Sequence, residues 1–369
     1  MKLYKYLLIV LSLSIFGLSC SNEDSNSNPT PLNEVKEVTI FHINDQHGRI
    51  ENFAKIKHIV DEEKKRTNVF IVCAGDIFSG NPVVDNHNEK GFPMIDLMNK
   101  VGFDIATIGN HEFDYGEVIL KDRLEQSEFE WVCANVNMNT TGIPEPSEYI
   151  TLTKNNVSIT FLGLVETNGK ENDIIPSTHP WRVQNITFKE YSTVINNFST
   201  IKSSENSDVY IALTHLGKST DTKIANDYPL FDLIIGGHSH SKLSTTVNNI
   251  PIFQAGSNLN YLGKIQLTLK NKKIETLSHN LIDLSTYQES DSSIKSMVDL
   301  YNEEANLDEI IGYSEAYHSK SAVGYFYTDA LRNEMNVDLT FQNTGGVRAD
   351  LDEGDILKRE IYTLDPFNN

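Results

Sequence analysis

Residues that can bind metal ions recur directly after the apolar runs of this 369-residue chain. Five such runs, "VTIFHIN", "VFIVCAG", "IATIG", "VYIALT" and "DLIIGG", are typical of buried strands. The residues that follow them are Asp45, His47, Asp76, Asn110, His111, His215, His238 and His240. One such residue alone is more typical of a structural position, and "GNHEFDYG" alone is typical of a polar turn. Because the carboxyl ends of strands converge on one crevice in an α/β sheet, five such strand ends predict a shared metal site.

The types of these side chains indicate which ions the site would take. Imidazole nitrogen, carboxylate oxygen and amide oxygen suit Zn²⁺, Mn²⁺ or Fe²⁺, and no thiolate is among them. Two divalent ions would exceed the charge of the Asp45 and Asp76 carboxylates by about two positive charges, which could hold a phosphate group. A water molecule bridging the ions would lose a proton near neutral pH and become a nucleophile. The sequence therefore predicts two divalent metal ions and a small phosphorylated substrate.

The overall charge limits the kinds of partner. The formal net charge is -20, and 22% of the residues are charged. So acidic a surface repels nucleic-acid polymers and anionic membranes. We therefore expect no nucleic-acid polymer as a partner. The sequence does not indicate whether the protein is a monomer or an oligomer.

The first twenty residues, "MKLYKYLLIVLSLSIFGLSC", are typical of an export signal. Two lysines precede an apolar core from Leu7 to Leu18 that is too short to span a bilayer. The ending "FGLSC" resembles a bacterial lipobox, which implies removal of residues 1–19, lipidation of Cys20 and anchoring to a bacterial membrane. We expect residues 20–34 to form a flexible tether, with the protein periplasmic or on the cell surface. The alternative is ordinary secretion after cleavage near Ser19.

Apolar and amphipathic runs alternate between residues 35 and 288, which predicts an α/β domain with largely parallel strands. Its last part has strands separated by Asn-rich turns, as in an antiparallel meander. The stretch "FKEYSTVINNFSTIKSS" is expected to be one helix and "EWVCANV" one strand. A connecting helix over residues 289–309 and a smaller α+β region over residues 310–369 would follow. Cys73 and Cys133 lie in apolar runs and are expected to be inert core residues.

Five motifs occur in the order seen in calcineurin-like metallophosphoesterases: "NDQHG", "GDIFSG", "GNHEFDYG", "ALTHLG" and "GGHSH". Over residues 36–285 the chain most resembles bacterial 5'-nucleotidases and UDP-sugar hydrolases, with the related cyclic-phosphodiesterases. The resemblance implies a two-sheet β-sandwich flanked by helices.

The same resemblance implies a division of the metal ligands between two ions. The ligands of one ion would be Asp45, His47 and His240, and those of the other would be Asn110, His215 and His238. Asp76 would bridge both ions, so that each has four protein ligands.

The resemblance also implies roles for the rest of "GNHEFDYG". His111 would lie beside the substrate phosphate, where it would stabilise the transition state or protonate the leaving oxygen. Asp114 would orient His111 and sustain its positive charge. Glu112 would be structural.

The resemblance continues into "NTGGVRADLDEGDI" but weakens near the end of the sequence. Arg348 matches a substrate-binding arginine, although Thr344 replaces a glycine of the family's motif. In "DPFNN", Phe367 matches one ring of the family's nucleoside clamp and Asn369 a neighbouring polar contact. Together with Asn110, these are the expected substrate contacts. The sequence stops before the second ring of the clamp, so the resemblance implies a truncated C-terminal nucleotidase domain.

These features lead to one main hypothesis and two alternatives. We expect a lipid-anchored phosphoesterase that hydrolyses nucleoside 5'-monophosphates or related nucleotides outside the cytoplasm. A 2',3'-cyclic-nucleotide or UDP-sugar diesterase would share the metal core but need a different outer pocket. A surface-binding lipoprotein with a silent site is the third possibility, although the complete ligand set favours an enzyme.

Overall fold

The computed structural model of the chain describes residues 35–139 and 141–365. Several predicted features lie outside the described residues: the export signal (1–19), the lipidation site Cys20, the tether (20–34), and the substrate contacts Phe367 and Asn369. Among the described residues, no helix has the length and apolar character needed to cross a bilayer.

The strands follow the predicted apolar runs. In chain order they are β1 (Val35–Ile43), β2 (Asn68–Cys73), β3 (Ile105–Thr107), β4 (Glu130–Val132), β5 (Val136–Asn137), β6 (Tyr149–Lys154), β7 (Val157–Val165), β8 (Thr187–Phe188), β9 (Val209–His215), β10 (Leu233–Gly236), β11 (Lys242–Val247), β12 (Ile250–Ala255), β13 (Tyr261–Lys270), β14 (Lys273–Asp283), β15 (Ile310–Ser314) and β16 (Gly354–Leu357).

The helices lie between these strands. In chain order they are α1 (Phe53–Lys64), α2 (Pro82–Asp85), α3 (Phe92–Val101), α4 (Glu117–Gln126), α5 (Tyr191–Val194), α6 (Ile201–Ser204), α7 (Lys218–Asp227), α8 (Ser292–Ala305), α9 (Lys320–Met335) and α10 (Lys358–Leu364). Short 3₁₀ turns occur at His111–Phe113, Pro180–Arg182 and Ile195–Phe198.

Two six-stranded sheets form the centre of the fold. The strand order is β14-β13-β1-β2-β3-β4 in the first sheet and β11-β12-β10-β9-β7-β6 in the second. Strands β1 to β4 are parallel, and so are β12, β10, β9 and β7. The edges are antiparallel, with β13 and β14 in the first sheet and β6 and β11 in the second. The predicted α/β fold with a two-sheet sandwich is confirmed.

The two sheets bury one apolar core between them. Ile40 and Phe70 of the first sheet share this core with Phe161 and Ile211 of the second, and all four side chains are fully buried. Burying a side chain of this size stabilises the fold by roughly 1.5–3 kcal/mol. The contact between the sheets therefore holds their carboxyl ends next to each other.

Helices cover the outer face of each sheet. Phe53 of α1, Met94 of α3 and Ile294 of α8 belong to one apolar cluster with β1 residues such as Phe41. On the other side, Ile224 of α7 belongs to a cluster with residues of β7, β9 and β10. The result is a four-layer arrangement of helices, sheet, sheet and helices.

The region after α8 has a smaller core. Strands β15 and β16 form an antiparallel pair, and Val323, Val347 and Leu364 form a separate apolar cluster. The amide of Arg359 donates to the carbonyl of Leu307 at 3.0 Å, which joins α10 to the chain just after α8.

Three local expectations are wrong. Strands β11 to β14 do not form one antiparallel meander, because β11 and β12 lie in the second sheet and β13 and β14 in the first. The stretch "FKEYSTVINNFSTIKSS" is not one helix but α5, a 3₁₀ turn and α6, because side chains there bond to nearby carbonyls and compete with helical bonds. Thr193 Oγ1 donates to the carbonyl of Glu190 at 2.7 Å, and Ser203 Oγ donates to that of Thr200 at 2.7 Å. The stretch "EWVCANV" forms the separate strands β4 and β5.

Cys73 and Cys133 are free thiols in the apolar core, as predicted. Burial raises the pKa of both thiols above its ordinary value. Neither thiol is therefore a nucleophile at neutral pH.

We predict that Gly163→Ala lowers the free energy of unfolding by about 1–3 kcal/mol, the usual cost of overpacking a close contact. The carbonyl of Gly163 in β7 accepts the amide of Ala134 at 2.8 Å, and an added Cβ would overlap the Val132 carbonyl. Urea denaturation measures the loss. As a control, Gly324→Ala in α9 meets Val347 only at 3.6 Å and should be neutral or stabilising. Equal stability of the two variants would contradict this account of the contact between the sheets.

Candidate metal centre

The loops after β1 and β2 run side by side. The amide of Asp45 donates to the carbonyl of Gly75 at 3.0 Å. Two residues later, the amide of His47 donates to the carbonyl of Asp76 at 3.1 Å. The pairing of the two strands thus continues beyond their ends, and it holds Asp45 and His47 next to Asp76.

The second sheet brings its residues to the same place. His215 is the last residue of β9, and His238 and His240 follow β10. The amide of His238 lies 3.1 and 3.0 Å from the two carboxylate oxygens of Asp45 and donates to them. This bond joins the strand ends of the two sheets.

Five of these residues have a left-handed backbone, which is uncommon for residues other than glycine. The φ angles are 53° at Asp45, 50° at His47, 57° at Asp76, 74° at His238 and 52° at His240. This conformation costs an L-residue roughly 1–2 kcal/mol, whereas glycine adopts it freely. Such strain is typical of functional sites, where the side chain matters more than the ease of the turn.

Three groups of side chains bring their potential ligand atoms within 4.8 Å of one another. The groups are Asp45 with His47 and His240, His47 with Asp76 and His111, and Asp76 with His215 and His238. Each group could hold a metal ion, and neighbouring groups share His47 or Asp76.

The first group is oriented by bonds on its far side. His47 Nδ1 lies 3.2 Å from the carbonyl of Ser79 and donates to it, so its Nε2 carries the lone pair. That Nε2 lies 2.9 Å from His240 Nε2, which is 3.4 Å from Asp45 Oδ1. Burial lowers the pKa of His47 well below its ordinary value and that of His240 to about 4, which favours neutral imidazoles. Neutral imidazole is the form that binds metal.

The group of Asp76, His215 and His238 contains a buried ring nitrogen close to two carboxylates. His215 Nδ1 lies 2.7 Å from the Ala74 carbonyl and donates to it, which directs Nε2 toward the carboxylates. That Nε2 is 3.0 Å from Asp76 Oδ2 and 4.0 Å from Asp45 Oδ1, and it makes no hydrogen bond with the described residues. A lone pair on Nε2 would be repelled by these carboxylates, so this nitrogen takes either a proton or a metal ion.

Burial and the neighbouring charges also shift the pKa values of His215 and Asp45. Burial lowers the pKa of His215, but the negative charge of Asp76 outweighs burial and raises the pKa to about 10. Burial raises the pKa of Asp45 to about 7. The cluster therefore attracts positive charge, and its nitrogen and oxygen donors fit a borderline divalent metal ion.

Asn110 lies beside the second group. Its Oδ1 is 2.9 Å from His238 Nδ1, and its Nδ2 donates to the Ser177 carbonyl at 3.2 Å. Because the carbonyl of Ser177 takes the amide NH₂, the oxygen of Asn110 is turned toward the metal-binding groups.

His111 is held by Asp114, which directly follows the short 3₁₀ turn His111–Phe113. His111 Nδ1 lies 2.6 Å from Asp114 Oδ2, and His111 Nε2 lies 4.0 Å from Asp76 Oδ2. Burial lowers the pKa of His111, but Asp76 and Asp114 outweigh burial and raise the pKa to about 9. A protonated His111 could donate to a phosphate oxygen, while the grouping with His47 and Asp76 also admits it as a metal ligand.

Glu112 joins the loops after β2 and β3 through hydrogen bonds to their backbone amides. Its buried carboxylate accepts the amides of Asp76 at 2.9 Å, Ile77 at 2.6 Å and Gly109 at 2.5 Å. One side chain thus ties the loop after β2 to the loop after β3, which agrees with the structural role expected of Glu112.

A cavity of about 300 Å³ opens beside His111 and Asp114. Its other lining residues are Gly169, Ser177, Thr178, His179, Arg182, Asn343, Gly345 and Gly346. Arg348 follows the "NTGG" turn that forms one wall. Burial lowers the pKa of His47 and His240, and the positive charge of Arg348 lowers both further. The charge of Arg348 therefore acts on the metal-binding groups.

The sequence predictions did not include Ser177, Thr178 or Arg182. Thr178 Oγ1 and Arg182 Nη1 donate to Asp114 Oδ1 at 3.2 and 3.0 Å. They belong to the connection between β7 and β8, residues 166–186. No periodic pattern distinguishes this segment, but its length was a usable signal, since long irregular connections are uncommon and often functional.

Two family matches cover most of the chain. Residues 38–242 match the calcineurin-like phosphoesterase family, and residues 305–369 match the 5'-nucleotidase C-terminal domain family.

Two of the similar proteins come from one bacterium. The trifunctional nucleotide phosphoesterase protein YfkN of Bacillus subtilis (strain 168) is 28% identical over 96% of this chain, and the endonuclease YhcR of the same strain is 25% identical over 98%. The chain spans only 28% of the length of YfkN and 34% of that of YhcR. Among solved structures, the 5'-nucleotidase precursor from Thermus thermophilus has a TM-score of 0.80 at 19% identity, over 90% of this chain and 74% of that one. At this identity the likeness concerns the fold.

We predict that the isosteric variant Glu112→Gln is destabilised by about 1–3 kcal/mol, because an amide NH₂ would replace an oxygen that accepts buried amides. It should also weaken metal binding, since the loop of Asp76 loses its support. Thermal unfolding and titration of the metal-free protein with Zn²⁺ measure the two effects. Glu117→Gln is a matched control, because Glu117 accepts the amide of Asn185 at 2.9 Å at the surface. Equal metal affinity in both variants would contradict the role given to Glu112.

Proposed function

The chain belongs to the calcineurin-like phosphoesterase family of hydrolytic enzymes, and from this premise we propose that it hydrolyses phosphate esters of nucleotides with two divalent metal ions. The observation that carries the proposal is the position of Asp76. It belongs both to the group with His47 and to the group with His215 and His238. One carboxylate between two sets of imidazole nitrogens is an arrangement that suits a pair of divalent ions.

We propose the division of ligands between two ions that the family resemblance implies. Asp45, His47 and His240 would hold one ion, Asn110, His215 and His238 the other, and Asp76 both. The orientation of three of these side chains supports a role in metal binding, because His47, His215 and Asn110 use their outer atoms for bonds to backbone carbonyls. Bound divalent ions would supply positive charge for the phosphoryl group and lower the pKa of an attacking water molecule. Zn²⁺, Mn²⁺ and Fe²⁺ all suit these donors.

His111 and Asp114 would act on the substrate. Asp114 holds the Nδ1 side of the ring, so Nε2 is the atom that would donate a hydrogen bond to the phosphate or a proton to the leaving oxygen. The cavity of about 300 Å³ beside them would take the leaving group. Arg348 would add a positive charge beside this cavity, and Phe367 and Asn369 would contribute contacts from beyond the described residues.

Nucleoside 5'-monophosphates are the substrates that we favour, because the 5'-nucleotidase C-terminal family match includes the turn lining this cavity. A 2',3'-cyclic-nucleotide or UDP-sugar diesterase remains the alternative, since it would need the same metal groups. Rates on AMP, UDP-glucose and 2',3'-cyclic AMP separate these activities. The net charge of -20 disfavours a nucleic-acid polymer, although YhcR is an endonuclease. A silent surface-binding lipoprotein would release phosphate from none of these substrates.

We further propose that the protein is exported and anchored through lipidated Cys20. The support is the sequence "FGLSC" after an apolar core. Mass spectrometry of the N-terminal peptide from the native host would detect the lipid on Cys20.

We predict that chelation followed by buffer exchange abolishes phosphatase activity and that Zn²⁺, Mn²⁺ or Co²⁺ restores it. Elemental analysis should give two ions per chain for the wild type and fewer for Asp76→Asn. Asp96→Asn is the control, because Asp96 accepts the Tyr301 hydroxyl at 2.6 Å and is not one of the metal-binding groups. Full activity of the metal-free protein would refute the proposed mechanism, and one ion per chain would refute the shared role of Asp76.

A second prediction separates chemistry from metal binding. His111→Ala should keep both ions but lower kcat by about 10²–10⁴, the usual contribution of a positioned acid or base. His58→Ala serves as a control, since His58 contacts Tyr287 at 2.8 Å, outside the metal-binding groups. Loss of an ion in His111→Ala would show instead that His111 is a ligand.

A further inference from the structure

The segment between β7 and β8, residues 166–186, is anchored beside the candidate metal centre. The amide of Glu166 donates to the carbonyl of His215 at 2.9 Å. The Glu166 carboxylate in turn accepts the amides of Asn168, at 2.8 Å, and Ser177. The two ends of the excursion from 168 to 177 are therefore held together at the end of β9.

From this anchor the chain continues to Arg182, whose side chain is mostly buried. The side chain of Arg182 is 11% exposed and that of its partner Asp114 is 7% exposed. Arg182 Nη1 donates to Asp114 Oδ1 at 3.0 Å, and the guanidinium carbon lies 5.0 Å from the centre of the Trp181 ring. Stacking on the ring and the bond to Asp114 restrict the guanidinium to one orientation.

The two carboxylate oxygens of Asp114 have different hydrogen-bond partners. Oδ2 lies 2.6 Å from His111 Nδ1, whereas Oδ1 accepts from Arg182 Nη1 and from Thr178 Oγ1 at 3.2 Å. The carboxylate therefore cannot rotate without breaking bonds on both sides. Its fixed plane in turn fixes the His111 ring, with Nδ1 toward Asp114 and Nε2 at 4.0 Å from Asp76 Oδ2, on the side of the metal-binding groups.

We propose that Arg182, assisted by Thr178, is a positioning residue for the reaction: by holding Asp114, it keeps His111 Nε2 directed at the substrate. This inference rests on the proposed function, because it assumes that His111 acts on the phosphate ester. It adds a residue that touches neither His111 nor a metal-binding group in the described contacts. Arg182 acts on the chemical step through the orientation of another side chain.

Removing a buried arginine also destabilises a protein, so the test needs a matched variant. The side chain of Arg123 is 5% exposed. Its Nη2 lies 3.6 Å from Glu89 Oε2, and its guanidinium carbon lies 5.5 Å from the centre of the Phe92 ring. Like Arg182, it has a buried Nε without a hydrogen bond in the described residues. Arg123→Met therefore reproduces the loss of a buried, stacked guanidinium away from Asp114.

The kinetic experiment compares Arg182→Met, Arg182→Lys and Arg123→Met with the wild type, all loaded with Mn²⁺. Arg182→Met should lower kcat on AMP by about 10–100-fold, the usual effect of losing a residue that orients another, with KM and metal content unchanged. Arg182→Lys should recover part of the rate, and Arg123→Met should keep it. In an Asp114→Asn background, Arg182→Met should have little further effect, because the two residues act as one unit.

A second readout does not depend on activity. In the metal-free protein, the proton of the short His111 Nδ1–Asp114 bond should give a downfield ¹H signal, assigned by its loss in His111→Asn. The signal should shift or broaden in Arg182→Met and in Thr178→Val but stay unchanged in Arg123→Met. Thr178→Val keeps the test valid if Arg182→Met fails to fold.

Three results would overturn the inference. They are an unchanged kcat in Arg182→Met, a rise in KM alone, which would make Arg182 a substrate contact, and equal losses with and without Asp114→Asn. An unchanged downfield signal in both Arg182→Met and Thr178→Val would overturn it as well. If the wild type releases no phosphate from any nucleotide, the proposed function fails, while the proton signal still tests whether Arg182 positions His111.

Discussion

Two buried carboxylates beside a buried imidazole nitrogen are the interaction on which the rest of the structure depends. Asp45 and Asp76 follow neighbouring strands of one sheet, and His215 lies near both from the other sheet. The carboxylates repel each other unless His215 carries a proton or a metal ion lies between them, because buried unpaired charge is costly. The sandwich core and the loops at the strand ends hold together a cluster that would otherwise separate. Affinity for a cation is thus a property of the fold as a whole.

The loops that carry these residues are strained, and their strain is supported from outside the cluster. Glu112 bonds to three backbone amides, and the β1–β2 pairing continues into the loops at Asp45 and His47. These bonds offset the unfavourable left-handed conformations. They also explain why side chains that never approach a substrate belong to the "GNHEFDYG" motif. The motif thus joins two loops and contributes two kinds of side chain. His111 lies beside the cavity, and Glu112 supports the backbone.

Much of the fold and of the site could be predicted from the sequence, because buried strands have a strong apolar pattern that also shows where each strand ends. The two-sheet α/β fold and the family resemblance are confirmed, and the residues at five strand ends do converge. Their individual roles stay predictions. The segment with Thr178 and Arg182 was missed, because an irregular connection has no periodicity and its contacts with Asp114 depend on tertiary structure alone. The helix expected near Thr193 failed for a local reason, the competition of hydroxyl groups for backbone carbonyls.

The division of the site between two sheets has a consequence for the order of folding. His47 and His240 lie 193 residues apart in the sequence, yet their Nε2 atoms are 2.9 Å apart. Contacts between residues so distant in sequence form late, because closing the long chain between them costs entropy. A chain that has formed only the β1–β3 half would carry Asp45, His47 and Asp76 without the histidines of β9 and β10. Tight metal uptake would therefore follow docking of the sheets, and it would report that the sandwich has closed.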